Sequence, residues 1–109
     1  MNLHTMKIFD IAVMPAERYE ERDKNVFYEK PEFKMRVLVL RPGERIPRCR
    51  MSSHVVFVCI QGCVELRVNK ETKNITAGQC LATEPATISM HTDSGARLLG
   101  IQIMPQKRG

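Results

Sequence analysis

"RPGERIPRCRMSSHVVFVCIQG", Arg41 to Gly62, falls into two unlike halves held between turns. Pro42-Gly43 opens it as a turn, and Gly62 ends it. In the first half Arg41, Arg45, Arg48 and Arg50 crowd together against one acid, Glu44. The second half, "HVVFVCIQ" from His54, is apolar without alternation, as in a strand covered on both faces. The arginine-rich half has two readings. It is either a solvated loop or a positive funnel for a carboxylate or phosphate.

Strand signals extend on both sides of this stretch. After Gly62, "CVELRVN" alternates with period two, Val64, Leu66 and Val68 facing one way, Glu65 and Arg67 the other. "NKETKN" returns the chain into "ITAG", and three short apolar runs follow: "QCLAT", "TISMHT" and "ARLLGIQIM". Glu84-Pro85 and "DSG" punctuate them. Upstream, "FKMRVLVLR" is a strand ending at the Pro42-Gly43 turn. The first thirty or so residues are weakly patterned: "MKIFDIAV" reads as a short strand, and "PAERYEERDK" as a polar turn or one exposed helical turn begun by Pro15. Nothing sustains a helical period. Short strands at regular spacing predict an all-β sandwich or small barrel.

At 109 residues, with 43% hydrophobic and 27% charged residues, the chain has the size and composition of one globular domain. No run of about 18 apolar residues predicts a membrane span, and the N-terminus does not read as a secretory signal. The expected location is therefore the cytoplasm, with Cys49, Cys59, Cys63 and Cys80 reduced. A Cys59–Cys63 disulfide across the "IQG" turn is the alternative to two small buried thiols. The formal net charge is +5, but bases alternate with acids and there are two Tyr, four Phe and no Trp. We therefore expect no nucleic-acid partner. Phosphate loops, serine-nucleophile elbows and zinc-protease helices are absent.

The spacing of the quoted stretch resembles the first motif of the cupin superfamily, G-x5-H-x-H-x3-E-x6-G. Gly43, Cys49, Met51, Val55 and Gly62 fall at the positions that matter. The second motif, G-x5-P-x-G-x2-H-x3-N, lays over Gly78 to Asp93. Glu84 stands there for the Pro (Pro85 is one place on), Ala86 for the Gly, Ser89 for the His and Asp93 for the Asn. The resemblance is to a small single-domain cupin, covering about Met35 to Met104. It implies an all-β, double-stranded β-helix (jelly-roll) barrel over 35–104, enclosing a pocket and commonly homodimeric. An N-terminal extension, 1–34, would pack on the barrel and add an edge strand or dimer contact. Residues 105–109 form a frayed basic tail.

In that family three His and one Glu hold a divalent metal. All four positions differ here, so the resemblance implies loss of the usual metal site, and we expect no cofactor. On this overlay Cys49 and Met51 point inward, and so do Ser89 and His91. The pocket would be lined by Cys49, Met51, Val55, Phe57, Ser89 and His91, with Arg48 giving it a positive mouth. His54 faces away, and His4 carries no signal.

Three functions fit this reading. The first is a metal-free binder of a small molecule, with a small anion as the expected ligand. The second is a metalloenzyme using a soft set, Cys49, Met51 and His91, suited to Cu(I) or Zn. The third is a structural or partner-binding barrel filled by its own side chains. A Cys49–His91 nucleophile pair is chemically permitted. Neither Tyr19 nor Tyr28 lies on a core strand to serve as an acid, and no reaction is assigned.

Overall fold

A computed structural model describes residues 6–105 of the chain. His4 and residues 106–109 of the expected tail lie outside the described residues. The elements are a 3-10 helix, Tyr19–Asn25, and eight strands: β1 Val26–Lys30, β2 Phe33–Leu40, β3 Arg45–Met51, β4 His54–Val68, β5 Glu71–Thr76, β6 Cys80–Thr83, β7 Ala86–His91 and β8 Ala96–Ile103. Every pairing is antiparallel. The chain is all-β, as the strand pattern predicts.

The strands form two curled sheets that share β4. The first runs β1-β2-β8-β4-β6 and the second β3-β7-β4-β5. The first half of β4 pairs with β8 and β6, and the second half with β7 and β5. The crossover falls at a register shift between Cys59 and Gln61, followed by Gly62 at φ 82°. A bulge bends a strand, and glycine enters the left-handed region without a Cβ penalty. A side chain at 62 would also collide with the carbonyl oxygen of Gly95.

The core lies between the two sheets. It takes Leu38 and Leu40 from β2, Val64 and Leu66 from β4, Ile88 from β7 and Leu98 from β8. Each fully buried aliphatic side chain contributes roughly 1.5–3 kcal/mol. The alternation expected for β4 holds: Val64 and Leu66 are fully buried while Glu65 and Arg67 are exposed. Thr92, after β7, ties three turns together. Its Oγ1 donates to the Cys63 carbonyl at 2.6 Å and accepts from the Gly95 N–H at 2.9 Å. Its backbone N–H donates to the Glu44 carbonyl at 3.1 Å and its carbonyl accepts from the Gly43 N–H at 3.0 Å.

One reading of the N-terminal segment fails, that of its first strand. "MKIFDIAV" forms no strand, and Met6 and Ile8 stand almost fully exposed. The free edge of β2 is taken instead by β1, which pairs with it from Val26 to Lys30. Residues before the 3-10 helix are pinned through Arg97, whose Nη1 donates to the carbonyls of Ile11 (3.1 Å) and Met14 (2.7 Å). Phe9 sets its ring edgewise on Phe27, centroids 4.7 Å apart. The arginine-rich half of the quoted stretch is a strand, β3, rather than a loop.

Candidate functional site

A cavity of about 80 Å³ opens between the sheets. One water needs about 10–15 Å³ of such space, so this one has room for a small organic molecule. β3 lines it with Cys49 and Met51, β4 with Val55 and Phe57, and β7 with Ile88 and Met90. Met51 and Val55 line the space without closing it. Gly100 of β8 is part of the wall, and a methyl there would reach into ordinary contact with Phe57 and Leu38, at 3.6 and 3.7 Å.

Polar groups gather on one side. Arg36 of β2 and Gln102 of β8 line the cavity, and the 3-10 helix adds Tyr19 and Arg22. A small clamp positions this helix: the Asn25 Oδ1 accepts from the Glu17 N–H at 2.7 Å, and its Nδ2 donates to the Glu17 carbonyl at 3.0 Å. Arg22 packs on the Tyr19 ring, 4.2 Å from its centroid, and donates to the Tyr19 carbonyl at 3.0 Å. Burial, and then the neighbouring Cys49 thiol, push the Tyr19 hydroxyl above its ordinary pKa. Burial holds Arg36 below the ordinary arginine value, although a guanidinium stays charged in proteins. Among the described residues, no carboxylate comes within ion-pairing distance of Arg22 or Arg36.

Cys49, Met51, Val55 and Phe57 thus come together. Ser89, His91 and Arg48 do not join them. They lie on the outer face of the second sheet, in a shallow depression with Arg45 and Arg67. Two register details explain this. β7 buries Ala86, Ile88 and Met90, which turns Ser89 and His91 outward. β3 carries a bulge between Ile46 and Cys49: three steps on β3 face two on β7, Met90 to Ile88. The extra residue lets Ile46 and Cys49 both face inward and leaves Arg48 outside.

The arginines that line the cavity are Arg22 and Arg36, while Arg48 lines the outer depression. Tyr19, Arg22, Arg36, Met90 and Gln102 are cavity residues that sequence reasoning missed. A signal for Met90 was present in Pro85. Anchoring the second motif on that proline moves its histidine position from Ser89 to Met90. Tyr19 and Arg22 gave no signal, because a weakly patterned segment reaches the cavity only through the tertiary fold.

The cavity does not suit the divalent ion of the cupin motif. Its residues at the four ligand positions are Cys49, Met51, Val55 and, with the shifted register, Met90. A buried isopropyl and two thioethers replace imidazole and carboxylate donors. The soft set of Cys49, Met51 and His91 does not converge either: the His91 Nε2 lies 3.6 Å from an Asp93 carboxylate oxygen outside the barrel. Among the described residues no three His, Cys, Asp or Glu side chains form a metal-holding group. Cys49, Cys59, Cys63 and Cys80 are free thiols. Cys59 Sγ donates to the Gln61 and Gly62 carbonyls at 3.5 and 3.6 Å. No helix among the described residues is long and apolar enough to cross a membrane.

No protein-family profile matches the chain, and no curated protein matches it. Solved structures do. A cupin superfamily protein from Desulfitobacterium hafniense is 10% identical and superposes with a TM-score of 0.74 over 96% of this chain and 97% of that one. The cupin domain of Cnp3 from Schizosaccharomyces pombe is 20% identical, with a TM-score of 0.66 over 73% of this chain and 61% of that one. Salicylate 1,2-dioxygenase from Pseudoaminobacter salicylatoxidans, solved with gentisate, is 18% identical with a TM-score of 0.64. That match covers 67% of this chain but only 20% of the dioxygenase. These likenesses are of fold.

Proposed function

We propose that this chain, a small barrel with the cupin fold, binds a small amphipathic carboxylate in its central cavity and does so without the metal usual in cupin sites. One observation carries the reading. Arg36 keeps a charged, half-buried guanidinium facing a mainly apolar cavity, with no carboxylate of the described residues paired to it. A guanidinium so placed favours a bidentate oxyanion. Arg22 adds a second positive charge, while Tyr19 and Gln102 offer hydrogen bonds. The apolar part of the ligand would pack between Met51, Phe57 and Met90, in the manner of small-molecule sites generally. The gentisate held by the dioxygenase, an aromatic carboxylate, is of the same chemical class.

The test is a thermal-shift series with propionate, butyrate and benzoate, each beside its amide. At a hundred times Kd a ligand stabilises by about 2.7 kcal/mol, which raises the Tm of a domain this size by roughly 10 °C. Acids should shift the Tm and amides should not. Arg36→Met, which keeps an apolar stem, should abolish the shift. Gly100→Ala should weaken it by occupying space while leaving the barrel folded. Equal shifts by acid and amide, or none with any acid, would sink the proposal.

A further inference from the structure

The outer face of the second sheet gathers charge that the cavity does not use. Arg45 pairs across to His91, and His91 to Glu65; Ser89 pairs with Arg67, and Arg67 with Thr72; Arg50 pairs with Thr87. Residues directly opposite in an antiparallel ladder share a face. Arg45, Arg48, Arg50 and Arg67 therefore project from one surface, and all four are exposed. Glu65 and Asp93 are the acids beside them. Among the described residues none of the four guanidiniums has an ion-pair partner.

Guarding an open sheet edge explains arginines on β3, which pairs with β7 alone. It does not explain Arg67, which sits on β4 between β7 and β5. The arginines span about 15 Å along β3 and about 10 Å across to Arg67, from ordinary strand spacings. Thr87 and Ser89 of β7 stand between the β3 arginines and Arg67, and Thr72 of β5 flanks Arg67 on its other side, all three carrying hydroxyl donors. Among the described residues the large exposed apolar side chains, Met6, Ile8, Val13 and Ile103, are not in the lining of this depression, so it lacks the apolar anchor of a membrane-seated surface. Its lining holds no Phe, Tyr or Trp ring to stack the bases of a single strand. Pro47 and the bulge block addition of an extended peptide to β3. What remains is a set of guanidiniums and hydroxyls held on one sheet face, complementary in charge and hydrogen bonding to a run of phosphates. We propose that this face docks on the phosphate backbone of double-stranded nucleic acid, without reading its sequence. The proposal goes against the expectation from the linear sequence, where acids interrupt the bases, because the fold gathers four arginines on one face with Glu65 and Asp93 as the acids beside them. It does not rest on the carboxylate reading of the cavity.

Fluorescence anisotropy with a labelled mixed-sequence DNA duplex of about 20 base pairs, titrated from about 50 to about 200 mM salt, tests it. Three to four phosphate contacts predict a slope of log K on log salt of about −3. Arg48→Gln with Arg67→Gln should remove about two units of that slope and weaken low-salt binding at least tenfold. The same double variant should keep the Tm of the unmodified chain, and Arg36→Met should bind the duplex unchanged. No duplex binding at low salt overturns the proposal, and so does a double variant that binds as well as the parent. Tighter binding to polyglutamate or to phosphatidylserine vesicles than to the duplex also overturns it, and identifies an acidic protein or a membrane as the partner.

Discussion

Tyr19 on the 3-10 helix and Cys49 on β3 line one cavity, and the thiol helps to hold the proton on the tyrosine hydroxyl. Burial and the neighbouring thiol raise the Tyr19 pKa above its ordinary 10.0, and burial, then Cys63, raises that of Cys59 above its ordinary 9.0. In both cases the folded chain holds its proton more tightly than the unfolded chain. The associated stability is complete below the ordinary pKa and is lost as pH rises through the higher folded value. Urea midpoints should therefore fall from about pH 9 upward. Cys59→Ser, which keeps a donor for the Gln61 and Gly62 carbonyls, should remove the earlier part of the fall. Tyr19→Phe should remove the part that begins near pH 10. An alkaline limb identical in both variants would contradict this assignment.

The two glycines that bracket the quoted stretch should respond differently to alanine. Both have positive φ, 83° at Gly43 and 82° at Gly62. A Cβ at 43 meets nothing within 4 Å, so Gly43→Ala costs only the backbone term of about 1–2 kcal/mol. At 62 the same methyl strikes the Gly95 carbonyl, and Gly62→Ala should yield little folded protein. Chemical denaturation of the pair measures the contrast.

Thr92→Val keeps the shape of a residue only 2% exposed but removes its hydroxyl. The Cys63 carbonyl and Gly95 N–H each lose a partner in a buried setting. We expect a loss of about 1–3 kcal/mol, since groups left unsatisfied carry their full desolvation cost. A loss below about 0.5 kcal/mol would mean that water replaces the hydroxyl.

Elemental analysis of the purified chain should find manganese, iron and nickel far below one equivalent, with Cys49→Ser no different. Val55 and the thioethers of Met51 and Met90 leave such ions without hard donors. One equivalent of any of them, lost on changing Cys49, would reverse the reading of the cavity.

The fold was legible because glycine spacing and period-two alternation report turns and faces directly: "CVELRVN" announced both the buried and the exposed side of β4. β3 was less legible, since arginines and a proline mask a strand whose edge position tolerates both. The cavity was half legible. Cys49, Met51, Val55 and Phe57 follow from parity along continuous strands. Ser89 and His91 fell on the wrong side because a one-residue offset inverts every face downstream of it. Arg22 and Tyr19 come from a segment whose approach to the cavity no local pattern records, whereas Arg36 shares the parity of the buried Leu38 and Leu40 on β2.

The pairing of β3 with β7 and of β2 with β8 also sets the order in which a nascent chain can become this protein. Arg45 waits for His91, and Leu40 for Ala96, so neither early strand gains its cross-barrel neighbour until β7 and β8 have left the ribosome. The hairpin of β4 and β5 closes over a few residues and needs nothing from either terminus. Synthesis therefore leaves apolar β2 and the β8-facing side of the first half of β4 uncovered until β8 is made, and the cavity forms only then. A chain cut just before Ala96 would lack not one strand but the seam between the two halves of its first sheet.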